Sequence, residues 1–109
     1  MQYFDYSRNI ESIAAIACLA ALAQPARLEV FRYLVRIGPE GTAAGDLAHD
    51  LDIAPNTLSF HLKELTRAEL ITFRREGRSI IYSLRPRGIR DLLAYLTQDC
   101  CQGRPELCC

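Results

Sequence analysis

The sequence predicts a mainly α fold with one β-hairpin, arranged as a winged helix-turn-helix. Three observations predict it. Two short helical patterns meet at a tight turn near Ile53, and the second is polar on its outward side. Two β-rich runs follow directly, one on each side of Gly77. A last amphipathic stretch closes the pattern, so helix dominates. The 109 residues divide into one domain, residues 1–98, and a cysteine-rich C-terminal tail, residues 99–109.

Residues 9–23 read as the first helix. Alanine and leucine give it high propensity, and Ile10, Ile13, Ala14, Ala17, Ala20 and Ala21 recur at helical spacing. Asn9 or Ser7 is placed to cap it. The helix is apolar on nearly every side, more than a small domain can bury alone, so a dimer contact is expected. Pro25 suits the first turn of a second helix, 25–37, whose stripe is Leu28, Val30, Phe31, Leu34 and Val35; Gly38-Pro39 stops it. Thr42 is the expected cap of a third helix, 43–51, with Leu47, Ala48 and Leu51 inward. Ile53 fills the turn, and Pro55 starts a fourth helix, 55–67.

The fourth helix carries the chemistry. Leu58, Leu62 and Leu65 form one stripe. The opposite stripe is Asn56, Phe60, Lys63 and Arg67, with Thr57 and His61 on one flank and Ser59 on the other. Amide, hydroxyl, imidazole and cationic groups on one face are the kit used on base edges and phosphates. Phe60 could meet a thymine methyl there or fold back on apolar surface.

Residues 70–75 and 78–84 read as a hairpin turning at Glu76-Gly77, with Arg74, Arg75 and Arg78 making its tip basic. A hairpin after such a helix is a wing, able to reach an adjacent backbone. Residues 87–98 read as the last helix, with Ile89, Leu92, Leu93 and Leu96 as its apolar face. Gly103 and Pro105 discourage helix in the tail.

Charge distribution agrees. The formal net charge is zero, but residues 54–90 carry eight Lys or Arg against three Glu, a local positive patch of the kind a phosphate backbone needs. The start has no basic region ahead of an apolar stretch, and the apolar run 10–23 is interrupted and shorter than a bilayer span. The expectation is a cytoplasmic protein with reduced thiols and no membrane partner. Five cysteines, four of them crowded into the last ten residues, do not read as a secreted disulfide framework. Cys18, inside the apolar first helix, reads as a buried inert thiol, and His49 as a surface residue.

The segments LAQPARLEVFRYL, DLAHDLDIAPNTLSFHLKEL and LITFRREGRSIIYSL resemble the winged-helix repressors of the ArsR/SmtB family. The resemblance covers roughly residues 18–98, most specifically NTLSFHLKEL at 56–65. It implies a homodimer joined through the first and last helices, bound to double-stranded operator DNA and released by a metal ion or metalloid. It implies DNA-binding roles for Asn56, Thr57, Ser59, Phe60, His61, Lys63, Arg67, Arg74, Arg75 and Arg78, with packing against the wing the alternative for His61. Two departures stand out: residues 42–51 contain no cysteine and residues 86–99 no histidine, so neither usual inducer site of that family is present in its usual form.

The paired thiols Cys100-Cys101 and Cys108-Cys109 are the remaining candidate. Thiolates select soft or borderline ions, and the C-x-x-C knuckle of structural zinc sites is missing. Trivalent arsenic is satisfied by three thiolates. Cys100, Cys101 and Cys108 are expected to supply them, with the terminal Cys109 the weaker third ligand. Trivalent arsenic is therefore the expected inducer and antimony(III) a second, with no organic cofactor. The rivals are another soft metal ion, thiol oxidation, and a small thiol enzyme. The last would need an activated nucleophile in a structured electropositive pocket.

Overall fold

The computed structural model describes residues 11–98. Five helices and three short strands follow in the order α1 (Ser12–Leu22), α2 (Pro25–Ile37), β1 (Thr42–Ala43), α3 (Ala44–Leu51), α4 (Pro55–Arg67), β2 (Ile71–Glu76), β3 (Ser79–Leu84) and α5 (Pro86–Leu96). This is the winged helix-turn-helix the sequence predicts. The caps proposed at Ser7 and Asn9 lie outside the described residues, as does the whole cysteine tail.

Local chemistry explains the boundaries. Pro25 opens α2, and the Gln24 side chain accepts the Arg27 amide at 2.9 Å. Gly38, at φ 90, ends it. The turn between α3 and α4 passes through Asp52 in the left-handed region at φ 56, and the Ile53 amide returns to the Ala48 carbonyl at 3.0 Å. Aspartate tolerates that conformation better than most side chains. Pro55 then opens α4.

Every helix sends residues to one core. Ala15, Cys18 and Ala21 come from α1, Val30, Phe31 and Leu34 from α2, and Leu47 and Ala48 from α3. Leu58, Leu62 and Leu65 of α4, Leu70, Ile71 of β2 and Leu92 of α5 complete it. The α4 stripe is therefore the buried one the periodicity predicts.

The strands form an antiparallel sheet in the order β1-β3-β2. In the hairpin Ile71 faces Leu84 and Glu76 faces Ser79, so the turn is Gly77-Arg78, one residue later than expected. Gly77 sits at φ 63, which the tight two-residue connection requires. β1 pairs Thr42 with Tyr82 and Ala43 with Ile81.

That pairing corrects the reading of Thr42. It lies in β1, α3 is capped by Ala43, and no side chain bonds the first turn. A cross-strand backbone ladder has taken the place of a local cap. Two other stripes are also redrawn. Leu28 and Val35 of α2 are exposed, and Val30, Phe31 and Leu34 are the side chains of α2 that the core buries. In α1 the inward face is Ala15, Cys18 and Ala21, while Ile13 is 76% exposed and Ile16 63%. In an all-apolar helix, hydrophobic periodicity carries no information about which side is inward. Packing against α2, α4 and α5 decides it. Leu93 and Leu96 of α5 are exposed as well.

Among the described residues, no single helix is long and apolar enough to cross a membrane.

Candidate nucleic-acid interface

α4 is held on its inner side by three leucines and fastened at mid-length and at its C-terminus. At mid-length, Arg27 of α2 donates from Nε to the Ala21 carbonyl at 2.9 Å and places its guanidinium 5.8 Å from the centre of the Phe60 ring. One cation thus ties the end of α1 to the outer face of α4. At the C-terminus the chain turns through Glu69 at φ 63, and the Leu70 amide returns to the Leu65 carbonyl at 3.1 Å. The carbonyls exposed there are occupied: Cys18 Sγ donates to Ala68 O at 3.4 Å, and Arg85 Nη1 donates to Glu69 O at 3.4 Å. α2 and α3 are cross-linked by the Tyr33 hydroxyl, which donates to Asp50.

The outer face of α4 carries most of the expected groups. Asn56, Thr57, Ser59, Phe60, Lys63 and Arg67 are all exposed. The Asn56 Oδ1 accepts the Thr57 amide at 3.0 Å, which sets the carboxamide at the start of the helix. Arg67 donates to Glu64 at 3.1 Å, one turn back on an exposed surface, where such a pair is worth little and readily exchanges for a phosphate. Lys63 has no hydrogen bond or ion pair among the described residues.

His61 does not belong to that face. It is only 6% exposed, and its Nδ1 is buried without a partner among the described residues. Burial, and secondarily the nearby Arg27 charge, pushes its pKa below the usual histidine range. A neutral buried imidazole is a packing residue, not a phosphate ligand. Helical geometry contains the reason: His61 stands four residues before Leu65, on the same side of the helix.

The wing is basic at its tip but its arginines differ. Arg75 and Arg78 are exposed, with no hydrogen bond or ion pair among the described residues. Arg74 is engaged twice, with Glu76 Oε2 at 2.7 Å and with the Glu40 carbonyl at 2.9 Å. It straps the hairpin to the loop after α2.

Between α4 and the wing lies a cleft of about 320 Å³, lined by Ser59, Lys63, Thr66, Arg67, Phe73 and Tyr82. The Phe73 and Tyr82 rings, cross-strand partners, lie 5.8 Å apart. Sequence reasoning gave Arg27, Phe73 and Tyr82 no role at the site. The strand alternation that puts Phe73 on the same side as Ile71 is the signal that marks it as facing α4.

Cys18 is buried, and burial raises its pKa, with the Glu69 charge adding to the effect. It is buried, as the sequence predicts. His49 is exposed, also as expected. Among the described residues no group of three His, Cys, Asp or Glu side chains is placed to hold a metal ion.

This geometry is that of a DNA-reading module, and comparison with known proteins agrees. A helix-turn-helix domain family matches residues 22–73. The chain is similar to the nodulation protein NolR of Rhizobium meliloti, 31% identical over 97 residues, covering 89% of this chain and 77% of NolR. Among solved structures it is similar to a possible transcriptional regulator for arsenical resistance, at 31% identity and TM-score 0.63, covering 73% of this chain and 80% of that one. It shares its fold with the homodimeric winged helix-turn-helix DNA-binding domain of Mb0332 from Mycobacterium bovis, a possible ArsR-family regulator. That likeness is at 23% identity and TM-score 0.65, over 81% of each chain. The chain belongs to the ArsR-like winged helix-turn-helix family of transcriptional regulators. It is a DNA-binding regulator and not an enzyme.

Proposed function

We propose that this protein is a cytoplasmic homodimeric repressor that leaves its operator when trivalent arsenic, or antimony(III), is bound by thiolates of its C-terminal tail. Cys100, Cys101 and Cys108 are the ligands, with Cys109 the alternative third. The dimer forms through α1 and α5, and two α4 helices enter successive major grooves about 34 Å apart. Asn56, Thr57, Ser59 and Phe60 face the bases. Lys63, Arg67, Arg75 and Arg78 meet phosphates, and Arg74 holds the wing in place.

The observation that carries this reading is the position of α5. The four thiols follow it directly in the chain. Its own first turn is packed against the junction of α4 and β2, where a β-carbon at Gly88 would stand 2.3 Å from the Glu69 carbonyl oxygen. An ion that reshapes the tail therefore pulls on the helix that seats both reading elements. Coupling between such sites is commonly worth about 1–3 kcal/mol per site. The donor set fits a thiophilic ion: four soft sulfurs within ten residues. The exposed apolar residues of α1 and α5 support the dimer, and the Mb0332 domain is homodimeric. The likeness to a possible transcriptional regulator for arsenical resistance supports the choice of inducer.

The test is operator release. Replacing Cys100 and Cys101 by serine leaves DNA binding intact and abolishes release by arsenite. Release that persists in this variant removes the tail as sensor, and release by peroxide but not arsenite assigns the thiols to oxidation.

A further inference from the structure

We propose that the cleft between α4 and the wing seats one sugar–phosphate unit of the bound duplex, with Phe73 as the floor under the deoxyribose. The inference rests on the DNA-binding reading and assigns a contact to a residue outside the polar face and the basic tip.

Three observations carry it. Phe73 is 55% exposed on β2, in mid-strand. Its ring is braced from one side by Tyr82 and opens on the other into the cleft. Across the cleft stand Ser59, Lys63 and Arg67, spaced one turn apart along the exposed face of α4. Two cations opposite an aromatic floor match an anionic phosphate joined to a sugar whose ring face is apolar. The cleft is continuous with the face that reads the bases, so a strand lying along α4 passes over it. Lys63 is free among the described residues to take a phosphate oxygen, and Arg67 exchanges its exposed Glu64 partner for a second.

The contact reads no base. It fixes how far the wing stands from the recognition helix when DNA is bound, and so sets register.

Hydroxyl-radical labelling of the wild-type protein, free and bound to mixed-sequence duplex at low salt, tests this without a variant. Phe60 and Phe73 both lose reactivity severalfold on binding, while the exposed Leu28 of α2 keeps its own. Protection of Phe60 with Phe73 as reactive as in the free protein overturns the cleft contact and leaves the DNA reading standing. No binding of duplex, and no protection at either ring, overturns both. A second arm uses Phe73→Leu, which keeps an apolar strand residue but loses the ring. It weakens binding to all duplexes alike by roughly tenfold, with the salt slope unchanged. Lys63→Ala lowers that slope by about one. Wild-type affinity in Phe73→Leu overturns the proposal.

Discussion

Gly88 and Glu69 meet backbone to backbone: a β-carbon on Gly88 would lie 2.3 Å from the Glu69 carbonyl oxygen and 3.1 Å from Leu70 Cα. The first turn of α5 is thereby pressed onto the link between recognition helix and wing. Arg85 reinforces the joint, its amide bonding the Leu70 carbonyl at 3.0 Å. Cys18 of α1 closes it from the other side through Ala68.

Gly88→Ala is therefore expected to force α5 away from the junction. Overpacking against backbone costs about 1–3 kcal/mol, which lowers the melting temperature by several degrees in a domain of this size. Thermal unfolding measures it. A melting temperature equal to wild type would show that the joint gives way freely.

His61 makes stability depend on pH. Its folded pKa lies below the ordinary value of 6.5, so under acid the unfolded chain binds the proton more readily. The contribution is fully present above the unfolded value and is lost as pH falls from there through the folded value. Urea unfolding midpoints should drop as the pH is lowered from above 6.5 to below it, and the drop should shrink in His61→Leu. An identical pH profile in the variant would place the titrating group elsewhere.

The exposed apolar face of α1 is expected to be covered by a second copy. Ile16→Glu puts a charge where the partner would pack, without touching the single-chain core. It should weaken dimerisation on the order of a hundredfold while leaving helix content unchanged. Sedimentation and circular dichroism read the two effects separately, and an undisturbed dimer would place the interface elsewhere.

Arg74 and Arg75 should behave differently although they are neighbours. Arg74→Ala removes the bond to Glu40 and loosens the wing by about 0.5–1.5 kcal/mol, weakening DNA binding with little change in its salt dependence. Arg75→Ala should lower the salt slope by about one. Equal slopes in the two variants would mean that both or neither holds a phosphate.

Cys18 should be silent toward thiol reagents in the folded protein. With Cys100, Cys101, Cys108 and Cys109 replaced by serine, the remaining thiol should react only on unfolding. Rapid labelling under native conditions would show that α1 opens from Ala68 far more often than its burial implies.

Much of this was legible in the residues. Pro25 and Pro55 mark helix starts that are correct to the residue, because proline at a first turn is a local effect needing no partner. Leu58, Leu62 and Leu65 name the buried side of α4, and with it the reading face. His61 escaped because it flanks both stripes, and only the packed neighbours decide that an imidazole at the boundary goes inward. Phe73 escaped because an aromatic in a short strand usually points to a core, and here the recognition helix stands opposite instead.

Order along the chain came from local chemistry: proline starts, glycine stops, the two periodicities, and the sulfur cluster at the end. These depend on neighbours a few residues away, so the sequence alone determines them. Tertiary structure decided everything that joins distant segments. It paired Thr42 with Tyr82, chose which side of an all-apolar α1 is inward, strapped Arg74 to Glu40 and set α5 on Glu69. The physical reason is that backbone pairing and close packing are fixed by what the rest of the fold brings opposite, and no residue's own character specifies that partner.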